Sequence, residues 1–563
     1  MYKETALTWT KPPFDEQTQN EVKRMLAGDP AVVEDAFYRM LEFGTGGLRG
    51  ILGVGTNRIN KYVIAMATQG FANCLVKFCS TEHLNRQVVI SYDSRNKSEE
   101  FALTTALVFA ANGFKVFLFP EMRPTPVLSY AVRYLQCCGG VMITASHNPK
   151  QYNGYKAYGA DGGQLVAPHD KNVMDEVAKI MSLSDVKLIT EQEALSQGLL
   201  EYILVDEPYL QQVRTLSLAG NVAGRDLCIV YTPLHGTGST IVPKALQQWG
   251  FTNVHPVSEQ MVPDGNFSTV VSPNPEEKSA MEMSIAKAKA LNADLVLATD
   301  PDADRVGIAI PDGKGDYTLL NGNQTGAVLI YYLLDKWKAS GKITGNEFVV
   351  KTIVTTELIR DIALRNGVKC YDVLTGFKYI AEKIRLLEGR ETFIGGGEES
   401  YGYLAGDFVR DKDAVIACCL IAEMAAEAAQ RGETFIDILQ NLYREYGFYL
   451  EGLLSVTKQG ITGLEEIRRI MAELRAAPPA EIAGSRVVEV RDYLLGVGDS
   501  PLSDVLQFFT ADGSKVTVRP SGTEPKIKYY FGVREDCRND ISFDEQMRVL
   551  SDRIAALEKD FKS

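Results

Sequence analysis

The chain has 563 residues, of which 45% are hydrophobic and 23% charged, and a formal net charge of −13. That composition belongs to a soluble globular protein and excludes disorder and repetitive fibre; at roughly 100–200 residues per domain, the length predicts three to five domains. The negative charge argues against nonspecific nucleic-acid or anionic-membrane binding, since both need a positive field. A small anionic substrate stays open, because it feels only the residues lining its pocket.

In chain order, Gln87–Tyr92 is predicted as a strand, 99–112 as a helix ending at Asn112-Gly113-Phe114, and 115–119 as a second strand. The same succession recurs at 227–231, 239–249, Gly250-Phe251 and 254–257, and again at 348–353, 356–366, Gly367-Val368 and 371–374. A glycine directly after an apolar-periodic helix is the expected C-cap, and strands alternating with such helices indicate parallel or mixed sheets. Three tandem, related α/β domains follow. Beyond Tyr446 the pattern changes: 447–457 and 515–518 are strand-like, and 463–476 and 544–561 have helical periodicity. That end reads as a smaller α+β domain. The predicted domains are 1–205, 206–322, 323–445 and 446–563, without a low-complexity linker and grouped around a central cleft, a favoured place for a small-molecule site.

The nine cysteines include no C-x-x-C pair and are predicted to be reduced, mostly buried thiols. The five histidines are dispersed, which argues against a His-rich zinc site. Met1-Tyr2-Lys3-Glu4-Thr5 begins no apolar leader, and no window is expected to approach an uninterrupted membrane-spanning length. The cytoplasm is the expected location.

Four loops carry possible chemistry. Thr144-Ala145-Ser146-His147-Asn148-Pro149-Lys150 follows a strand end at 140–143, so Ser146 is expected on an exposed turn. A serine hydroxyl needs assistance to act as a nucleophile. His147 is its chain neighbour, and adjacent side chains usually diverge, so no dyad is implied; the alternative is a hydroxyl-rich turn that satisfies its own backbone. Asp300-Pro301-Asp302-Ala303-Asp304-Arg305 can aim alternate carboxylates at one divalent cation such as Mg2+. It is no EF-hand, because Arg305 stands where the glycine belongs and Pro311 where the closing glutamate belongs. Gly395-Gly396-Gly397-Glu398-Glu399-Ser400-Tyr401-Gly402 offers close backbone approach with carboxylate and hydroxyl partners for sugar hydroxyls. Arg519-Pro520-Ser521-Gly522-Thr523-Glu524-Pro525-Lys526 forms a possible phosphate nest, and no nucleoside-triphosphate P-loop motif is present. Together they supply phosphoryl transfer with a serine, a metal loop, a hydroxyl reader and a distal phosphate clamp. A phosphatase would use the same logic.

With these four strings in this order, the chain resembles the α-D-phosphohexomutase superfamily, the phosphoglucomutase and phosphomannomutase enzymes, over nearly its whole length. The resemblance implies that Ser146 is a phosphoserine, that Asp300, Asp302 and Asp304 with a phosphoserine oxygen hold Mg2+, and that Arg305 is an active-site arginine. It implies that Glu398 and Ser400 read sugar hydroxyls, and that Arg519, Ser521, Gly522 and Thr523 bind the distal phosphate. Phe43-Gly44-Thr45-Gly46-Gly47-Leu48-Arg49 resembles the opening motif, with Arg49 near the phosphoserine; Lys156 and Lys412 match lysine positions, and Thr375 and Lys378 a substrate loop. His235 resembles a family position for which a structural role is equally open. Some members follow Glu-x-Ser with Gly-His, where this chain has Tyr401-Gly402, so the general base is left unassigned. Glu-Glu-Ser resembles the glucose-directed members, implying a phosphoglucomutase primed by glucose 1,6-bisphosphate and acting as a monomer or weak homodimer. Phosphomannomutase and phosphopentomutase activities are the alternatives on this scaffold, with a serine phosphohydrolase or noncatalytic sugar-phosphate-binding protein behind them.

Overall fold

The computed structural model describes residues 2–44, 47–220, 226–458, 460–521, 526–538 and 540–562. Backbone contacts divide the chain into two compact units. One is Met1–Leu320 with Ile384–Leu386 and Gly402–Glu423; the other is Asn321–Lys383 with Leu387–Tyr401 and Met424–Ser563.

The first unit carries two mixed sheets. Among the described residues, one comprises β1 (Phe43–Gly44), β2 (Gly47–Ile51), β3 (Gln87–Tyr92), β4 (Lys115–Leu118), β5 (Gly139–Ile143), β6 (Tyr152–Gly159) and β7 (Leu200–Tyr202), in the order β1-β2-β6-β5-β3-β4-β7. The other comprises β8 (Ile229–Thr232), β9 (Val254–Pro256), β10 (Leu295–Thr299), β11 (Val306–Pro311) and β12 (Tyr317–Leu320), in the order β12-β11-β10-β8-β9. Their centres match: β3 lies parallel to β4 and β5 while β6 returns antiparallel to β5. Likewise β8 lies parallel to β9 and β10, and β11 returns antiparallel to β10.

In the second unit, β13 (Glu347–Thr352) lies parallel to β14 (Lys369–Val373) and β15 (Thr392–Gly397), repeating that centre. The strand β16 (Tyr403–Ala405) follows in sequence. The remaining strands are β17 (Phe448–Thr457), β18 (Glu481–Ile482), β19 (Ser485–Asp492), β20 (Leu506–Thr510), β21 (Lys515–Pro520) and β22 (Lys526–Glu535). They form an antiparallel sheet ordered β17-β22-β21-β20-β19-β18, and the helix Phe543–Lys562 packs on β17 and β22. This is the expected succession of three related α/β units and an α+β end.

The three repeats share their helix endings to the atom. After the helices Ser98–Ala111, Gly238–Gln248 and Leu358–Arg365 come Gly113, Gly250 and Gly367, at φ +80°, +92° and +74°. Each glycine N–H donates to the carbonyl three residues back, at 2.9, 2.9 and 3.1 Å, and the next N–H reaches five back, at 3.2, 3.0 and 2.9 Å. That is a Schellman ending, for which a left-handed residue is required. Its apolar follower, Phe114, Phe251 or Val368, is buried and leads into the next strand.

One sequence expectation is corrected. The helix Lys61–Glu82 is long and apolar enough, by length and composition, to cross a membrane. Its residues Val63–Ala72, Leu75 and Cys79 are buried, and it packs against the helices Ser98–Ala111 and His169–Val177, which is the environment of a core helix. The thiols read as expected: all nine cysteines are free and none is exposed.

In the second unit, a buried charge cluster joins the third sheet to the fourth. The fully buried Lys351 Nζ lies 3.0 Å from Glu357 Oε1 and 2.9 Å from Asp372 Oδ1, and Glu357 Oε1 also accepts from Lys515 Nζ at 2.5 Å. Burial opposes ionisation of Glu357, but Lys351 and Lys515 hold its carboxyl well below the ordinary 4.5. Removing that anion takes the carboxylate partner from the buried Lys515 and leaves Lys351 with Asp372 alone. Glu357→Gln is expected to cost about 1.5–3 kcal/mol, the worth of charge-assisted hydrogen bonds, seen as an earlier first transition in urea. Because the folded-state pKa is depressed, the wild type holds this contribution above pH 4.5 and loses it as pH falls below. The variant's acid limb should therefore be flatter.

Candidate active site

The Ser, Asp and Gly-Glu loops leave equivalent points of the three repeats. Each follows the third parallel strand, β5, β10 or β15, at its C-terminal end, where open α/β sheets gather ligand-binding loops. In the first unit two of these loops meet. Ser146 Oγ donates to Asp300 Oδ2 at 2.7 Å, and His147 Nδ1 lies 3.2 Å from Ser146 Oγ.

Ser146 is therefore not on an exposed turn: it is 1% exposed. The Asp loop of the neighbouring sheet covers it, a partner 154 residues away that local sequence could not supply. Nor do Ser146 and His147 diverge. Ser146 is left-handed, at φ 52°, which turns its side chain back toward the following ring. Burial, with Arg305 and Arg49 nearby, holds the His147 imidazole well below 6.5 and so neutral at neutral pH.

Asp300, Asp302 and Asp304 are all buried, with ligand oxygens within 4.8 Å of one another. Asp302 Oδ1 and Asp304 Oδ1 are buried and have no hydrogen-bond partner among the described residues. Spare anionic oxygens aimed at one point suit a hard divalent cation, so the residues present fit the metal expected of them. Burial and then the two neighbouring carboxylates push Asp300 well above the usual range. Asp304 falls below it: burial opposes the shift, but Lys156, Lys412 and Arg305 outweigh it.

Those cations are all in the first unit. Lys156, on β6, lies 2.7 Å from Asp302 Oδ2 and 3.1 Å from Asp304 Oδ2, and Lys412 Nζ is also 3.1 Å from Asp304 Oδ2. A Cβ at position 402 would run into the Lys412 side chain, which explains Gly402. Arg305 Nη1 donates to Glu276 Oε1 at 2.8 Å. Arg49, on β2, donates to Asn148 Oδ1 at 3.3 Å, and its buried Nε has no hydrogen-bond partner among the described residues. His235 has both ring nitrogens engaged, 2.8 Å from the Val262 carbonyl and 2.8 Å from Thr269 Oγ1, which is a structural role.

In the second unit, Glu398 is buried and accepts from the Gly376 N–H at 3.0 Å, which joins the Gly-Glu loop to the loop of Thr375 and Lys378. Thr375 Oγ1 is buried without a partner among the described residues, Lys378 is buried over the Tyr379 ring, and Ser400 is half-buried. Arg519 is the last residue but one of β21, and the Ser521 N–H donates to the Lys526 carbonyl at 2.7 Å. Gly522 and Thr523 lie outside the described residues.

Four family models match this chain in order. Phosphoglucomutase/phosphomannomutase alpha/beta/alpha domains I, II and III match residues 40–184, 207–313 and 321–446, and the C-terminal domain matches 466–541. The chain belongs to the phosphoglucomutase/phosphomannomutase family. A phosphoglucomutase of Staphylococcus epidermidis is 40% identical over 517 residues, covering 89% of this chain and 92% of that protein. One of Staphylococcus aureus is 38% identical over 514 residues, covering 89% and 91%. In fold, the chain resembles the open form of parafusin, a phosphoglucomutase from Paramecium, with a TM-score of 0.69, 17% identity, and 93% and 94% of the two chains covered. Members of this family are phosphohexomutases, isomerases of carbohydrate metabolism.

Sequence reasoning missed Asp93, Arg95, Thr125 and Glu276. Thr125 Oγ1 donates to Asp302 Oδ2 at 2.9 Å. The available signal is the charged pair Asp93 and Arg95 directly after β3, at a C-terminal strand end like those that carry the Ser and Asp loops. If the aspartates hold a metal, Asp302→Asn should lower activity and raise the Mg2+ concentration needed for half-maximal rate, since it removes one anionic ligand. Exhaustive chelation should abolish turnover and Mg2+ restore it; calorimetry should show weaker Mg2+ binding to the variant.

Proposed function

We propose that this chain interconverts glucose 1-phosphate and glucose 6-phosphate through phosphorylated Ser146 and a glucose 1,6-bisphosphate intermediate. The observation that carries the reading is a buried serine oxygen 2.7 Å from a carboxylate of a three-aspartate cluster. A phosphatase would share that pair but would not need a second phosphate loop around Arg519. The division of labour follows the expected domains: phosphoserine in 1–205, metal in 206–322, sugar in 323–445 and distal phosphate in 446–563.

In the forward half-reaction a sugar hydroxyl attacks the phosphoserine phosphorus, and the bond from phosphorus to Ser146 Oγ breaks as the bond to the sugar oxygen forms. The hydroxyl proton ends on Ser146 Oγ, which returns to a serine hydroxyl. The bisphosphate then reorients and gives its other phosphate back to Ser146. Asp300, Asp302, Asp304 and a phosphoserine oxygen would hold Mg2+, which spreads charge over the phosphoryl oxygens. Arg305 and Arg49 offer guanidinium donors to the transferring group, and Lys156 and Lys412 offset the buried carboxylates. Glu398 and Ser400 bind sugar hydroxyls, with Thr375 and Lys378 beside them. Arg519, Ser521, Gly522 and Thr523 hold the phosphate that is not reacting. Glucose 1,6-bisphosphate primes the enzyme by phosphorylating Ser146, and the cytoplasm is the proposed setting.

Ser146→Ala should lower turnover by several orders of magnitude and cost only about 1 kcal/mol of stability, one buried hydrogen bond. Peptide mass analysis of the wild type should find phosphate on Ser146. A coupled assay should rank glucose 1-phosphate above mannose 1-phosphate and ribose 1-phosphate; a reversed order would reassign the sugar. Arg519→Ala should lower kcat/KM by about one to two orders of magnitude, the worth of a charge-assisted phosphate contact of roughly 1.5–3 kcal/mol. Both kcat and KM should move, because binding remote from the reacting atoms helps place them.

A further inference from the structure

Ser146 Oγ changes its covalent state in every cycle, so the contacts that hold the loop cannot depend on that oxygen. The structure has another anchor. Arg95 stands three residues after β3, with a fully buried side chain. Its Nη2 donates to the Ser146 carbonyl at 2.6 Å and to the Asn148 carbonyl, and its Nη1 to the carbonyls of Pro149 at 2.9 Å and Tyr152 at 3.0 Å. One guanidinium thus takes four main-chain carbonyls of the segment that carries the nucleophile. The planar fork of an arginine can do this; a lysine ammonium cannot span the same set.

Asp93 completes the frame. Its Oδ2 lies 3.3 Å from Arg95 Nε and accepts from Thr144 Oγ1 at 2.6 Å, and that hydroxyl oxygen accepts from the Ser146 N–H at 2.8 Å. Asp93 Oδ1 takes the Arg95 N–H at 2.9 Å and the Ser98 hydroxyl at 2.7 Å. The Phe267 ring lies beneath the guanidinium, 5.0 Å from its centroid. Both polar groups of the Ser146 main chain are therefore fixed from one strand end: the N–H through Thr144 and the carbonyl by Arg95. A non-glycine residue in the left-handed region persists only where its surroundings over-determine it, and here they do.

We propose that Arg95 is a positioning residue for phosphoryl transfer, holding Ser146 left-handed so that Oγ faces Asp300 whether or not it carries phosphate. This rests on Ser146 as the phosphoryl carrier. Arg95 touches no reacting atom; it acts through the loop's main chain. Its effect belongs to placement of the nucleophile, and misplacement by about 1 Å can cost 100-fold in rate.

The test uses the full chain with Arg95→Lys, which keeps the charge and loses the fork. The expected result is a 10- to 100-fold lower kcat at an unchanged folded fraction, with KM for glucose 1-phosphate within about threefold of wild type. Single-turnover phosphorylation of Ser146 by glucose 1,6-bisphosphate should slow by the same factor, and hydrogen exchange should quicken in the peptide spanning 144–152. Wild-type kcat per folded molecule, or a loss confined to KM, overturns the proposal. If Arg95→Lys does not fold, Thr144→Val and Thr144→Ser give the answer through the other half of the frame. The valine should lose kcat and the serine, which keeps the hydroxyl, should recover most of it; equal rates in the two overturn the proposal. Phosphate mapped to a residue other than Ser146 in the wild type would instead sink the phosphoserine reading, which separates the two failures.

Discussion

Three carboxylates at one buried point cannot all stay ionised unless positive charge comes close to them. Here Lys156, Lys412 and Arg305 do so, and all three reach Asp304, at 3.1, 3.1 and 3.8 Å. The compensation is lopsided. Asp304, nearest the cations, is held below the usual carboxylate range, while Asp300, on the serine side, is pushed above it. Ser146 thus donates to a carboxylate whose ionisation burial and two like charges oppose, and a cation beside it would favour its charged form. On the proposed reading, metal and phosphoryl group arrive with opposite charges of about +2 and −2, so the surrounding charge stays balanced across the cycle.

Repetition of one topology is what delivers the parts to that point. In each α/β unit the third parallel strand ends where the chain turns into the next strand, and the three loops differ only in what they carry there. The Ser and Asp loops meet because their sheets belong to the same compact unit. The central strand of the first repeat leads into Asp93 and Arg95, which hold the serine loop through its carbonyls and Thr144. In the third repeat the corresponding strand end leads instead to Glu357, bonded to Lys351 and Lys515. The same strand end braces the Ser146 loop in one copy and ties sheet to sheet in another.

How much of this could be read in advance follows from the range of each interaction. The Schellman endings at Gly113, Gly250 and Gly367 are local: glycine, preceding helix and apolar follower lie within a few residues, so the repeats were legible. The alternate aspartates were legible for the same reason. Burial of Ser146 was not, because it depends on Asp300, 154 residues away. Arg95 escaped because its partners are carbonyls, which leave no trace in side-chain identity. Of the phosphate loop, Arg519 and Ser521 are described, while Gly522 and Thr523 lie outside the described residues.

The two compact units divide the proposed chemistry unevenly. Ser146, the three aspartates, Arg49, Lys156 and Arg305 share the first unit, and so does Lys412, although the third family domain spans its position. Every group that would touch the transferring phosphoryl is thereby braced within one body, as preorganised electrostatic catalysis requires. Thr375, Lys378, Glu398, Ser400 and Arg519 belong to the second unit, braced among themselves by the Glu398–Gly376 hydrogen bond and the Lys351–Glu357–Lys515 cluster. On the proposed reading, sugar recognition can then change by substitution in one body without disturbing the geometry of transfer in the other. A family that includes both phosphoglucomutases and phosphomannomutases needs that separation, because its members keep one reaction and vary the sugar.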